Sequence, residues 1–147
     1  MRASFLTRCG PLIGRHAPDG CRPARYRLVK VATMNEVVDL LNKARKLIET
    51  PDRWCQGDFA RDEKGESVIT VSPEACKWCM IGALEKAADT LSLDSSLAYS
   101  DAREFLSVAV GESILSWWND IEGRTHTEVL QAFDRAIKLA QGKTDDE

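Results

Sequence analysis

The stretch MNEVVDLLNKARKLIET, residues 34–50, decides the fold class. Val37, Leu40, Leu41, Ala44, Leu47 and Ile48 recur at three- and four-residue intervals. On a helix they form one apolar stripe, with Asp39, Asn42, Lys43 and Lys46 opposite. Thr33 and Glu36 have capping-box spacing, in which hydroxyl and carboxylate each satisfy a backbone N–H left free by the first turn. Pro51 stops the helix just after Thr50. Such a stripe needs partners to cover it, because a single amphipathic helix draws most of its stability from packing.

Downstream segments supply them. Ser72-Pro73 has the form of an N-cap with proline at the first helical position, and predicts a second helix. On that helix Cys76, Met80, Ile81, Ala83, Leu84, Ala87, Ala88 and Leu91 fill a wide apolar arc, with Cys79 at its edge. Trp78, Gly82 and Ala75 fall on the other side, and the missing side chain at Gly82 leaves a shallow groove suited to another backbone. Asp94 to about Val110 predicts a third helix, with Leu97, Ala102, Phe105, Leu106 and Ala109 inward and Gly111 ending it. Ile114–Trp118 reads as a short apolar turn, followed by a loop from Asn119 to Gly123. Thr125 and Glu128 make a second capping box, which opens a last helix with Val129, Phe133, Ala136, Ile137 and Ala140 inside and Gly142 closing it. Between the first two helices the turn signal Asp62–Gly65, flanked by Asp58–Arg61 and Val68–Val71, predicts a β-hairpin laid on the helices. The expected fold is mainly α, a compact bundle of about four helices with a small β-hairpin between helices one and two.

Charge divides the chain. Residues 1–33 hold six arginines and Lys30 against Asp19 alone. Removing those seven basic residues and one acidic residue from the chain's 20 and 23 leaves 13 basic and 22 acidic side chains in 34–147, a balance of −9. The expected organisation is a disordered basic arm over 1–33, upstream of a start at Met34, one helical domain over 34–141, and a solvated tail over 142–147. The arm lacks both the amphipathic pattern of a transit peptide and the apolar run of a secretory signal. Nucleic-acid binding is disfavoured by the acidic domain, because phosphate neutralisation needs clustered Lys and Arg. No run of about 18 apolar residues spans a membrane. Five cysteines without a disulfide-framework spacing point to a reducing cytoplasm.

Three constellations carry potential chemistry. Cys76-x-x-Cys79, completed by Cys55 and His126, has the residue types of a zinc site, but it lacks a second closely spaced pair and lies in an apolar helix. The expectation is therefore no metal and no cofactor. Cys79, His126 and Asn119 or Asp120 are the residue types of a thiol hydrolase. Against that reading, Cys79 falls almost two turns inside the predicted helix and no oxyanion loop precedes it. The polar run Asn119-Asp120…Arg124-Thr125-His126 shapes a turn, with Arg124 pairing Asp120, or holds a small anion at the last helix's N-terminus. Of Trp54, Trp78, Trp117 and Trp118, most are core anchors. The adjacent pair cannot share one helical face, so one of the two reaches the surface or a seam. Trp54, Trp78, Asn119 and Arg124 are the candidate binding residues. No phosphate loop, dinucleotide fingerprint or zinc-protease motif is present.

Three blocks carry a resemblance: Lys43-Ala44-Arg45 through Gln56-Gly57 with Phe59-Ala60-Arg61-Asp62; Trp78-Cys79 with Gly82-Ala83-Leu84; and Asn119-Asp120, Gly123-Arg124-Thr125-His126, Glu128-Val129-Leu130 and Asp134-Arg135-Ala136-Ile137. Over about residues 36–140 the chain resembles DUF6197, a family of small bacterial and phage proteins known as a domain of unknown function. The resemblance implies no activity, cofactor or partner. It does imply that Cys55 and Cys76 are incidental, whereas Trp78, Cys79, Asn119, Asp120 and His126 match the pattern. The expectation is a cytoplasmic accessory or interaction module with an unidentified protein partner and no catalysis. The alternative is a small cysteine-dependent hydrolase or ligand-binding protein using Cys79, His126 and Asp120.

Overall fold

Thr33 and Glu36 form the expected capping box: the Thr33 hydroxyl accepts from Glu36 N–H at 3.2 Å and the Glu36 carboxylate accepts from Thr33 N–H at 2.9 Å. They open α1 (Met34–Leu47) in a computed structural model that describes residues 32–91 and 96–143. The expectations for the arm, for Asp94 and for the last four residues fall outside those residues. The helix ends three residues short of Thr50, and Pro51 instead starts a single 3-10 turn, Pro51–Arg53. Four further helices follow: α2 (Met80–Leu91), α3 (Ser96–Val110), α4 (Leu115–Asp120) and α5 (His126–Ala140). None of the described helices is long and apolar enough to cross a membrane.

The core follows from the stripes. Val37, Leu40, Leu41, Ala44 and Ile48 are fully buried, and so are Leu84 and Ala87 of α2, Ala102 and Leu106 of α3, and Val129, Phe133 and Ala136 of α5. α1 packs on α2, α3 and α5, and α3 packs on α5. Alanine recurs on all four inner faces, which lets backbones approach closely while Phe133 and the leucines fill the space between them. Leu97 does not turn inward. It is 38% exposed, because the buried ridge of α3 runs through Ala98, Ala102 and Leu106 at four-residue spacing and leaves Leu97 one position off. Arg45 reaches across to Asp134 of α5 through two hydrogen bonds of 2.6 and 3.2 Å.

The β-structure departs from expectation in its pairing. The turn at Asp62 forms as read: Asp62 Oδ1 accepts from Lys64 and Glu66 N–H, each at 2.9 Å, and Gly65 takes φ +85°. The returning segment, however, meets the first strand only at the Arg61–Ser67 bridge and by Val68 N–H donating to Ala60 O at 3.1 Å. The strand that pairs antiparallel with β1 (Ala60–Arg61) is β2 (Lys77–Trp78). Those residues fit the helical pattern, yet they lie before α2, which begins at Met80 rather than near Pro73.

The reason is that Ser-Pro is also turn chemistry. Ser72 Oγ accepts from Glu74 N–H at 3.3 Å and Ser72 O from Ala75 N–H at 3.2 Å, after which the chain leaves extended instead of helical. The extended course buries Trp78 and lets its indole N–H donate to Thr70 O at 3.0 Å. The groove at Gly82 survives this change of helix start. A Cβ there would stand 1.9 Å from Phe59 O, so the backbone just before β1 fills the space a side chain would need.

Candidate functional site

Asn119 sits in the last turn of α4, not in a loop, and is fully buried. Its Oδ1 accepts from the Trp54 indole at 2.9 Å and from Met80 N–H, at the start of α2, at 3.2 Å. Its Nδ2 donates to Cys55 O at 3.2 Å and to Asp120 Oδ1 at 2.8 Å. Both lone pairs and both hydrogens of the amide are thus used. Gln56 adds two bonds from its own amide, to Asn119 O at 2.8 Å and Ile121 O at 3.2 Å, while Asp120 Oδ1 accepts from Gly57 N–H at 3.0 Å. The segment 54–57 is therefore tied to α4 and to the N-terminus of α2. Gln56 belongs to no spaced motif; the resemblance block that contains it is the one signal for it in the sequence.

Cys79 precedes α2 as its cap, not two turns inside it. Its carbonyl accepts from Ala83 N–H at 2.9 Å and its sulfur from Gly82 N–H at 3.4 Å, the geometry of an N-cap side chain with Sγ in place of oxygen. A helix N-terminus ordinarily lowers a thiol pKa. Here burial, with the residue 3% exposed, outweighs it. Desolvation pushes the Cys79 thiol up to about 11 against the pull of the Gly82 and Ile81 backbone bonds. Burial likewise pushes Cys55 up to about 12, with Cys79 as the next cause. At pH 7 a thiol at about 11 is ionised in roughly one molecule in ten thousand.

His126, the first residue of α5, points back to the end of α1. Its Nε2 lies 2.7 Å from Ile48 O. A carbonyl can only accept, so Nε2 carries the proton and the ring caps the C-terminus of α1. The ring also lies against Trp54, with centroids 6.0 Å apart. No hydrogen bond joins His126 to Cys79 among the described residues. The path between them runs from His126 through Trp54 to Asn119 and then to Met80, and no nucleophile–base contact is made.

Arg124 does not pair with Asp120. It stacks on Trp118 at 3.8 Å, donates through Nε to Trp118 O at 3.0 Å, and reaches Glu128 at 3.2 Å. Glu128 also accepts from Thr125 N–H at 2.8 Å and Thr125 Oγ1 at 2.9 Å, completing the second capping box. The backbone bond from Thr125 holds the Glu128 carboxyl below its usual range. The N-terminus of α5 and the cation beside it already share one carboxylate, which stands where an added anion would.

A cavity of about 190 Å³ reaches Cys79 between Asp58, Phe59, Ser67, Ser116 and Asp120. It is below the ~300–1,000 Å³ of ordinary small-molecule sites. Asp58 is paired to Arg61 at 2.6 Å, and Asp120 is engaged as described. Cys76 and Cys79 stand three apart on extended backbone, where an odd offset sends side chains to opposite faces. Among the described residues no three His, Cys, Asp or Glu side chains gather as a metal site.

A family model described as "Family of unknown function (DUF6197)" matches residues 32–139. No curated protein and no solved structure matches the chain.

Proposed function

We propose, from the premise that this chain belongs to DUF6197, a family of unknown function, that the domain is a non-catalytic module that docks a protein partner. One observation carries the reading: the side chains of catalytic type act as fasteners, while large apolar side chains face outward. Cys79 caps α2, His126 caps α1, Asn119 uses its whole amide on Trp54, Met80, Cys55 and Asp120, and Arg124 holds Trp118 O and Glu128. A thiol hydrolase needs a thiolate and a base in contact, and neither condition finds support in this geometry. By contrast, Ile114 and Trp117, one helical turn apart at the start of α4, are each 59% exposed, and Val108 at the end of α3 is 63% exposed. An exposed tryptophan backed by aliphatic neighbours is the composition of an interface anchor. The free thiols of Cys55, Cys76 and Cys79 fit a reducing cytoplasm.

The test compares two sets of variants in the full chain. Ile114→Ser/Trp117→Ser is expected to change stability by no more than ~0.5 kcal/mol, as exposed substitutions do, and to release a partner captured from the native host. Cys79→Ser, if folded by circular dichroism, is expected to retain that partner. Ester or amide hydrolysis by the wild-type chain that disappears in folded Cys79→Ser would overturn the reading.

A further inference from the structure

A second hollow, of about 320 Å³, opens between the start of α1, the Asp101–Val108 stretch of α3 and the end of α5. Its floor is apolar: Met34, Phe105, Val108 and Leu139. Met34 is 54% and Val108 63% exposed, so the floor faces outward. Among the described residues its charged lining is of one sign. Asp101 and Glu104, three apart on α3, share one face of that helix and both line the hollow. Neither carboxylate has an ion pair or hydrogen-bond partner among the described residues, whereas Asp58, Asp134 and Glu128 are each paired.

We infer that this groove takes a basic peptide segment of a partner protein, a large apolar side chain flanked by Lys or Arg. The inference rests on the docking reading above and gives the partner its chemistry. An apolar side chain alone would leave two carboxylates uncompensated at the edge of a site it dehydrates, and an acidic segment would meet like charge there. A purely basic segment would pair the acids but leave the floor wet. The volume suits one or two large side chains rather than a whole helix face. The occupant is therefore an extended or single-turn segment, with its anchor on the floor and a cation toward Asp101 and Glu104.

Fluorescence anisotropy with the full chain tests it, using the labelled probe Lys-Arg-Leu-Phe-Arg-Lys. Two controls accompany it, one with the basic residues changed to Asp and Glu, the other with Leu-Phe changed to Gly-Ser. The expected result is saturable binding of the first probe alone, weakening as salt rises. Asp101→Asn/Glu104→Gln should weaken it at least tenfold with an unchanged melting temperature, and Val108→Ser should weaken it separately. Equal binding of the acidic probe, indifference to the double variant, or no binding of the first probe overturns the groove assignment. The docking reading is scored apart from this, by the partner capture that depends on Ile114 and Trp117. Capture that persists without peptide binding sinks the groove alone.

Discussion

Between α1 and α5, Leu40, Leu41, Val129 and Phe133 are fully buried on facing stripes. By contrast, the chain from Trp54 to Gly57 is held to α4 and the start of α2 by directed bonds, most of them made or accepted by Asn119. The first region is held by area removed from water, which has no direction and forgives a change of shape. The second is held by donors and acceptors that have one good arrangement, and a buried group left unpaired costs more than its bond contributes. Of the residues that resemble catalytic machinery, Cys79, Asn119 and Asp120 belong to the second region, and His126 borders it through its ring contact with Trp54.

Substitutions at the two ends of this contrast test it. Asn119→Ala strands the Trp54 indole, Met80 N–H and Cys55 O, and should cost about 3–5 kcal/mol, at roughly 1–3 kcal/mol per stranded buried group less partial rehydration. The conservative core exchange Leu41→Met should cost less than about 1.5 kcal/mol. Urea unfolding measures both, and the contrast breaks if the order is reversed.

Next in size is Gly82→Ala. Its Cβ would press on Phe59 backbone, which no side-chain rotation relieves, so the cost should approach ~3 kcal/mol, the upper end for overpacking. Gly111→Ala sharpens the comparison: φ is +70° but the space around it is empty, so backbone strain alone should cost about 1–2 kcal/mol.

The smallest effect is read against pH. The folded pKa values of Cys79 and Cys55, about 11 and 12, lie above their ordinary 9.0. Their stabilising contribution is complete below pH 9 and is lost as pH rises toward 11 and 12, because the unfolded thiols ionise first. Each thiol adds a slope approaching 1.4 kcal/mol per pH unit in that window. Under reducing conditions, Cys55→Ala should remove one such slope from the alkaline unfolding profile. An unchanged profile would show that the thiol at position 55 meets water in the folded state.

Legibility in the sequence divides along the same line. α1 and α5 could be placed from stripe and capping box, since both signals lie within a few residues of each other. The bare backbone at Gly82 also announced a close neighbour. The start of α2 is not legible, because Ser72-Pro73 serves a turn as well as a helix cap, and Cys76-Lys77-Trp78 suits a half-buried strand as well as a helix. Cys79 consequently moved from a helix interior to a helix end, and Asn119 and Asp120 from a loop into α4.

Local periodicity and capping thus settled the mainly helical class, the stripes of α1 and α5, and the presence of a small β element between the first two helices. The tertiary structure alone decided which strand pairs with Ala60–Arg61, that Asn119 joins Trp54 and Met80 from 65 and 39 residues away, and that His126 answers Ile48 rather than Cys79. The physical reason is range. A stripe is written in neighbouring residues, whereas a hydrogen bond depends on where a distant partner's atoms come to rest, and that position exists only once the chain has closed.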